Sequence, residues 1–417
     1  MIGVRRLDEI DRAALLRRPT VVTPEVVEAA AKIVAEVRSG GDDAVRRFTK
    51  QFDKVDPPTL EVPRTKPRLS SAEEKAIGEA VRRVHDYHRQ AIPKGFEKTS
   101  RGVTVGKTMV PYRTAGIYIP GGLAVYPSSL IMCAVAAEVA GVETRVLCTP
   151  PGPDGSIPAA VLFAAEVCGV ERIFRIGGAQ AVAAMAYGTK SVPPVEIIVG
   201  PGNKFVTAAK RIVNGDVAID FLAGPTEVLI LSDGSASAAF IAADLIAQAE
   251  HDPLACPLLV TTSAKQAHDV DIELGRQFPE LERRAIIEAA LKGQGALLVV
   301  DDLDEAIDFA NEYAAEHLVL AVRNPRKAMK SIRHAGAVFL GEYSPVASGD
   351  YCVGPNSTLP TLGDARRSSG LSASTFLKSI SYELLTRAGL KGIAPMATTL
   401  ATTEGLQAHR RSIEVRL

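Results

Sequence analysis

From Gly116 to Leu340 the chain repeats one pattern: a short, mostly apolar, β-branched run followed by an alanine-rich run of helical length. The runs 117–119, 144–148, 172–176, 195–199 and 227–231 precede helical stretches at 128–140, 158–168, 179–187, 204–213 and 236–250. Further strand-like runs at 257–260, 296–300, 318–322 and 337–340 are again separated by helical sequence. Strands that are apolar on both sides are buried on both faces, which is the condition of parallel sheets covered by helices. With 417 residues, 47% of them apolar, the chain can fill two or three cores of ordinary size, so two such sheets fit the length better than one. The expected fold class is therefore α/β, with two Rossmann-like parallel-sheet domains, a small N-terminal arm and a helical C-terminal tail. Turn sequences near Gly116 and at Ala223-Gly224-Pro225 suggest the boundaries. The division is an arm at 1–14, a first α/β domain at 15–118 and 227–371, a second at 119–226, and a tail at 372–417. The stretch 70–92 reads as a charged amphipathic helix. The tail reads as two helical stretches around Gly389, with few apolar positions of its own, and is expected to pack on a second subunit.

Charge balances at 48 basic against 48 acidic residues, which argues against a nucleic-acid partner. The N-terminal residues lack the apolar core of a signal peptide, and the most apolar run, 130–142, is broken by Glu138 and too short to span a bilayer. Five scattered cysteines without a C-x-x-C pair suit a reducing compartment and argue against a disulfide framework or a thiolate zinc site. A cytoplasmic protein with no membrane association is expected.

Chemistry gathers at a few places. Gln248 and His251 share one face of a helix end that Pro253 terminates, a common metal-ligand spacing that also occurs on solvated helix ends. Glu316-His317 stands where a helix meets a strand and offers two proton acceptors of different pKa, or a surface pair. Asp350 lies in a glycine-rich loop, 348–356, and His409 in the tail. His85 and His88 repeat the i,i+3 spacing, but Arg82, Arg83 and Arg89 would oppose a dication, so both are expected to be solvated, as are His268 and His334. No G-x-G-x-x-G follows a strand. Three other turns, Pro120-Gly121-Gly122, Gly177-Gly178-Ala179-Gln180 and Gly200-Pro201-Gly202-Asn203, lie between strand and helix, where backbone N–H groups can hold a nucleotide.

Tyr-Ile-Pro-Gly-Gly at 118–122, Gly-Gly-Ala-Gln-Ala-Val-Ala-Ala at 177–184 and Val-Gly-Pro-Gly-Asn at 199–203 resemble the histidinol dehydrogenase family. So do Ala-Gly-Pro-Thr-Glu-Val-Leu at 223–229, Gln-Ala-Glu-His-Asp-Pro at 248–253, Glu-His-Leu at 316–318 and Gly-Asp-Tyr at 349–351. The resemblance implies a zinc-dependent homodimer that oxidises an amino alcohol to the amino acid in two steps with two NAD. It implies zinc ligands Gln248, His251 and Asp350 from one chain and His409 from the partner, so that the site is shared between subunits. Glu316 and His317 would be the catalytic pair. Thr226 and Glu404, with Gln248, His251, His317, Asp350 and His409, would contact substrate. Tyr118, Gln180 and Asn203 would contact NAD, placing the metal and the catalytic pair in the first domain and NAD on the second.

Four positions depart from the family pattern. Ser357 stands where the family has a substrate-binding histidine, and Thr226 where serine is usual. Ala315 replaces a common proline, and Val319 a common glutamate. The zinc ligands and both proton acceptors are retained. L-histidinol is the expected substrate; the alternative is a family paralogue acting on another small alcohol, such as a sulfonated propanediol.

Overall fold

A computed structural model of the chain describes residues 2–63, 65, 67–121 and 125–417; Gly122 of the first glycine turn lies outside the described residues. Among the described residues the strands sort into two parallel sheets and one antiparallel sheet. The first sheet runs Val4–Arg6, Ala296–Val299, Cys256–Thr261, Glu227–Ser232, His317–Ala321, Ala337–Leu340. The second runs Arg172–Arg175, Thr144–Thr149, Thr114–Tyr118, Ile197–Val199, Ala218–Ile219. The limits of the expected strands differ by up to three residues, mostly the usual fraying of ends, and Val4–Arg6 and Ala218–Ile219 are edge strands that the pattern did not indicate.

Both sheets are double-faced, as their apolar strands require. In the central strand Glu227–Ser232 every residue is buried. Leu229 and Leu231 join one apolar cluster, while Val228 and Ile230 join the cluster on the opposite face. The second sheet divides likewise, with Ile117 and Leu147 on one side and Tyr118, Val146 and Cys148 on the other. No helix among the described residues is long and apolar enough to cross a membrane.

Several features differ from expectation. The expected first domain includes residues 15–118, yet their two long helices, Pro24–Phe52 and Ser71–Ala91, belong to the apolar clusters on the two faces of the second sheet. The first packs against the helices Gly178–Tyr187 and Lys204–Val213 and shares an apolar cluster with Val146, Phe174 and Ile176; the second packs against Pro127–Ala140 on the other face. An amphipathic helix shows that it needs a partner, not which partner. The start of the N-terminal arm is an edge strand of the first sheet, paired with Ala296–Val299, and Leu7 is buried against that sheet. His88 is fully buried rather than solvated. It continues the stripe Ile77, Ala80, Val84, so helical spacing carries it inward while the neighbouring arginines point elsewhere.

The tail, expected to be helical, begins instead with a 3-10 turn, Ala373–Phe376, and a strand, Leu377–Leu385, which pairs antiparallel with Val103–Pro111, itself paired with Phe96–Ser100. The helices Arg387–Thr403 and Gln407–Glu414 follow. This region leaves Phe96, Ile380, Leu384, Met396 and Leu400 exposed.

Candidate active site

The site lies at the N-terminal edge of the first sheet. Strand Glu227–Ser232 begins beside strand His317–Ala321, with His317 in register with Val228. The helix Leu303–Tyr313 ends at Ala314 in a left-handed conformation (φ 53°, ψ 56°), which reverses the chain and delivers Glu316 and His317 to this edge. The helix Ala238–Ala249 runs back from the far edge of the sheet, so its end returns Gln248 and His251 to the strand starts. Asp350 arrives on the short helix Val346–Tyr351, where a loop was expected.

Glu316 is 7% exposed and His317 3%. One Glu316 carboxylate oxygen, Oε2, accepts from the Thr226 hydroxyl at 2.6 Å and from the Glu227 backbone N–H at 2.9 Å. His317 Nδ1 lies 3.0 Å from the Glu227 carbonyl oxygen, 3.4 Å from Glu316 Oε2 and 3.5 Å from Gln248 Nε2. Gln248 Nε2 also donates to Thr226 Oγ1. His317 Nε2 has no hydrogen-bond partner and faces Asp350 Oδ1 at 3.8 Å. A carbonyl only accepts, so neutral His317 carries its proton on Nδ1 and presents Nε2 as the basic nitrogen. Burial pulls the imidazolium pKa down, but the charge of Glu316, its hydrogen bond and the charge of Asp350 outweigh this and raise it to about 9. Burial raises the Asp350 carboxyl, opposed by His317 and His251.

These side chains line one cavity of about 540 Å³, with Thr226, Gln248, His251, Glu316, His317 and Asp350 on one wall and Pro120, Tyr126 and Pro201 from the second sheet opposite. Pro120 also lines a second cavity of about 580 Å³ beyond the strand ends of the second sheet. That cavity contains Tyr118, Gly178, Gln180 and Asn203. The turns that border it are built by close backbone approach: a Cβ at Gly200, where φ is +112°, would collide with the Tyr118 carbonyl. The Tyr118 hydroxyl accepts from the Gly178 N–H at 3.1 Å, and Asn203 caps the helix Lys204–Val213. The Gln180 amide is 1% exposed with both polar atoms unpartnered, so it is free to serve a bound group.

The expected residues separate into those the chain brings together and those it does not. His409 and Glu404 are exposed in the tail and line neither cavity. Among the described residues no three His, Cys, Asp or Glu side chains form a metal cluster. His251, Asp350 and the Gln248 amide around one cavity do offer the nitrogen and oxygen donors that suit zinc, short of one ligand. Asp53 went unnoticed in the sequence. It lines the second cavity, burial raises its carboxyl to about 6, and Oδ2 has no partner.

The chain matches the histidinol dehydrogenase family model over residues 16–417. It is 45% identical to the histidinol dehydrogenase of Methanothermobacter thermautotrophicus, over 99% of this chain and 97% of that protein. It is 47% identical to that of a Synechococcus species, over 92% and 91%. The crystal structure of histidinol dehydrogenase from Elizabethkingia anophelis superposes with a TM-score of 0.92 at 35% identity, covering 99% of this chain and 97% of that one. Fold and site thus define an NAD-dependent oxidoreductase. The chain belongs to the histidinol dehydrogenase family.

Ser357 lines the first cavity, half-buried, on a segment anchored by Asn356, whose amide donates to the Met132 carbonyl at 2.8 Å. A serine hydroxyl reaches less far into the cavity than the imidazole of the family pattern would. One hydrogen bond is worth about 0.5–1.5 kcal/mol, or roughly 2- to 13-fold in affinity. Ser357→His is therefore expected to lower KM for L-histidinol several-fold with kcat little changed, as steady-state kinetics would read.

Proposed function

We propose that this chain oxidises L-histidinol to L-histidine through the aldehyde, in two hydride transfers to NAD, the last steps of histidine biosynthesis. In this reading it is a zinc-dependent cytoplasmic homodimer. The observation that carries the chemistry is the buried Glu316–His317 pair, held against Thr226 and Glu227 on the wall of a cavity that also presents Gln248, His251 and Asp350. The amino alcohol occupies that cavity, and Tyr118, Gln180 and Asn203 hold the dinucleotide in the adjoining one.

Bound NAD would supply the hydride acceptor, and zinc, which Gln248, His251, Asp350 and the partner subunit's His409 would hold, would supply a Lewis acid that helps orient the substrate. His317 Nε2 takes the hydroxyl proton as the carbinol hydride leaves, giving the aldehyde. Glu316 then takes a proton from water as the water oxygen bonds to the aldehyde carbon, and protonated His317 returns its proton to the former carbonyl oxygen, giving the hydrate. His317 acts again, taking a hydroxyl proton from the hydrate as the second hydride leaves and the acid forms. The Nδ1 contact with the Glu227 carbonyl keeps the basic nitrogen turned toward substrate throughout.

Purified protein given L-histidinol should reduce two NAD for each histidine formed. Failure with L-histidinol, alongside turnover of another alcohol such as a sulfonated propanediol, would overturn the substrate assignment. The pair also predicts a pH response. In the metal-free chain the carboxylates of Glu316 and Asp350 favour the imidazolium, so the His317 midpoint followed by NMR should lie near 9. Zinc loading puts positive charge beside it and should move the midpoint down. A metal-free midpoint at or below 6.5 would mean that these carboxylates do not act on the ring.

A further inference from the structure

We infer that Arg18 is a positioning residue for the reaction: its buried ion pair with Glu227 fixes the peptide groups that hold Glu316 and His317. The inference rests on the proposed roles of those two residues. Neither Arg18 nor the Glu227 side chain lines the substrate cavity. Their side chains are 8% and 0% exposed, and Arg18 Nε donates to Glu227 Oε1 at 2.6 Å. The same guanidinium donates through Nη2 to the Tyr313 carbonyl at 2.7 Å and through Nη1 to the Leu16 carbonyl at 3.0 Å. Its carbon sits 3.4 Å from the centre of the Tyr313 ring.

Those partners are the two chain ends that build the site. Glu227 opens the central strand, and Tyr313 closes the helix whose left-handed Ala314 turn delivers Glu316 and His317. The backbone of Glu227 serves both acceptors, with its N–H donating to Glu316 at 2.9 Å and its carbonyl lying 3.0 Å from His317 Nδ1. The Leu362 N–H donates at 3.1 Å to Glu227 Oε1, the carboxylate oxygen that Arg18 Nε also holds. A planar guanidinium can bridge a carboxylate and two carbonyls in fixed directions, which neither lysine nor an apolar side chain can reproduce. Arg18 thereby sets the spacing of the strand start from the helix end. Through Glu227 it keeps the His317 proton on Nδ1 and the lone pair on Nε2. Small displacements of a proton acceptor cost rate far more than binding, because they act on the reacting geometry.

The test uses the full-length, zinc-loaded protein. Arg18→Met should lower kcat for L-histidinol at least tenfold, while KM and zinc per chain stay within twofold of the parent. Nitrogen-15 NMR of the histidine rings should show His317 losing its single Nδ1–H tautomer. Arg17→Met, at an exposed neighbour whose partner is Asp11, should behave as the parent. Removing Arg18 alone strands a buried carboxylate and threatens folding, so Arg18→Met/Glu227→Met is made beside it. Replacing a buried ion pair with apolar side chains commonly preserves stability. A folded double variant that keeps the kcat loss and the mixed tautomer supports the inference. Parental kcat in either variant, or a loss confined to KM or zinc content, overturns it. Loss of activity in His317→Ala but not in Arg18→Met would leave the proposed function standing and sink this inference alone.

Discussion

Replacing His317 with alanine is expected to slow alcohol oxidation and aldehyde oxidation alike, by about 10²- to 10⁴-fold in kcat, the usual worth of a positioned proton acceptor. Both oxidations remove a hydroxyl proton as hydride departs, and His317 Nε2 is the unpartnered basic nitrogen on the cavity wall. Glu316→Gln should behave differently. The carboxylate is held by Thr226 and Glu227 beside the imidazole, and in the proposed sequence it acts only when water adds to the aldehyde. It should therefore spare the first oxidation and damage the second. The amide keeps the shape of the group, so the difference isolates proton acceptance from packing. Single-turnover measurements with L-histidinol and with the aldehyde supplied separately give the two rates. Equal losses in both steps would show that the division of labour is wrong.

The second large effect concerns the proposed sharing of the site between two subunits. His409 and Glu404 are exposed at the end of a tail whose last helix packs on the helix before it. The antiparallel sheet and that helix pair leave Phe96, Ile380, Leu384, Met396 and Leu400 in solvent, an apolar surface that a second copy would cover. On this arrangement Gln248→Ala and His409→Ala chains are each inactive as homodimers. Refolded together in equal amounts, they should recover about a quarter of the parental activity, since half the twofold dimers are mixed and each mixed dimer has one intact site. Activity assays after confirmed subunit exchange read the result directly. No recovery would mean that His409 serves its own chain.

The sequence by itself determined most strands of the two parallel sheets, the helices between them and their double-sided burial, because a strand that is apolar on both faces has few other ways to be covered; it did not reveal the antiparallel sheet of Phe96–Ser100, Val103–Pro111 and Leu377–Leu385. It also marked Gln248, His251, Glu316, His317 and Asp350, since each is a chemically distinctive side chain at the end of an element. The motifs that carried the family resemblance are the turns and strand starts around the two cavities. It did not assign the helices Pro24–Phe52 and Ser71–Ala91 to the second sheet, or the first residues of the arm to the edge of the first. Local periodicity reports that a face must be buried, whereas its partner is chosen by packing among segments far apart in the chain. His88 illustrates the limit: its charged neighbours pointed to solvent, but the helical stripe it extends turns it into the core beside Asn356, its Nε2 lying 3.5 Å from the Asn356 amide nitrogen. Arg18 carried no signal at all, because its importance lies in joining Glu227 to Tyr313, 209 and 295 residues along the chain. Which residues can do chemistry is a property of side chains and can be read in order; which residues hold them in place is a property of contacts that exist only once the chain has folded.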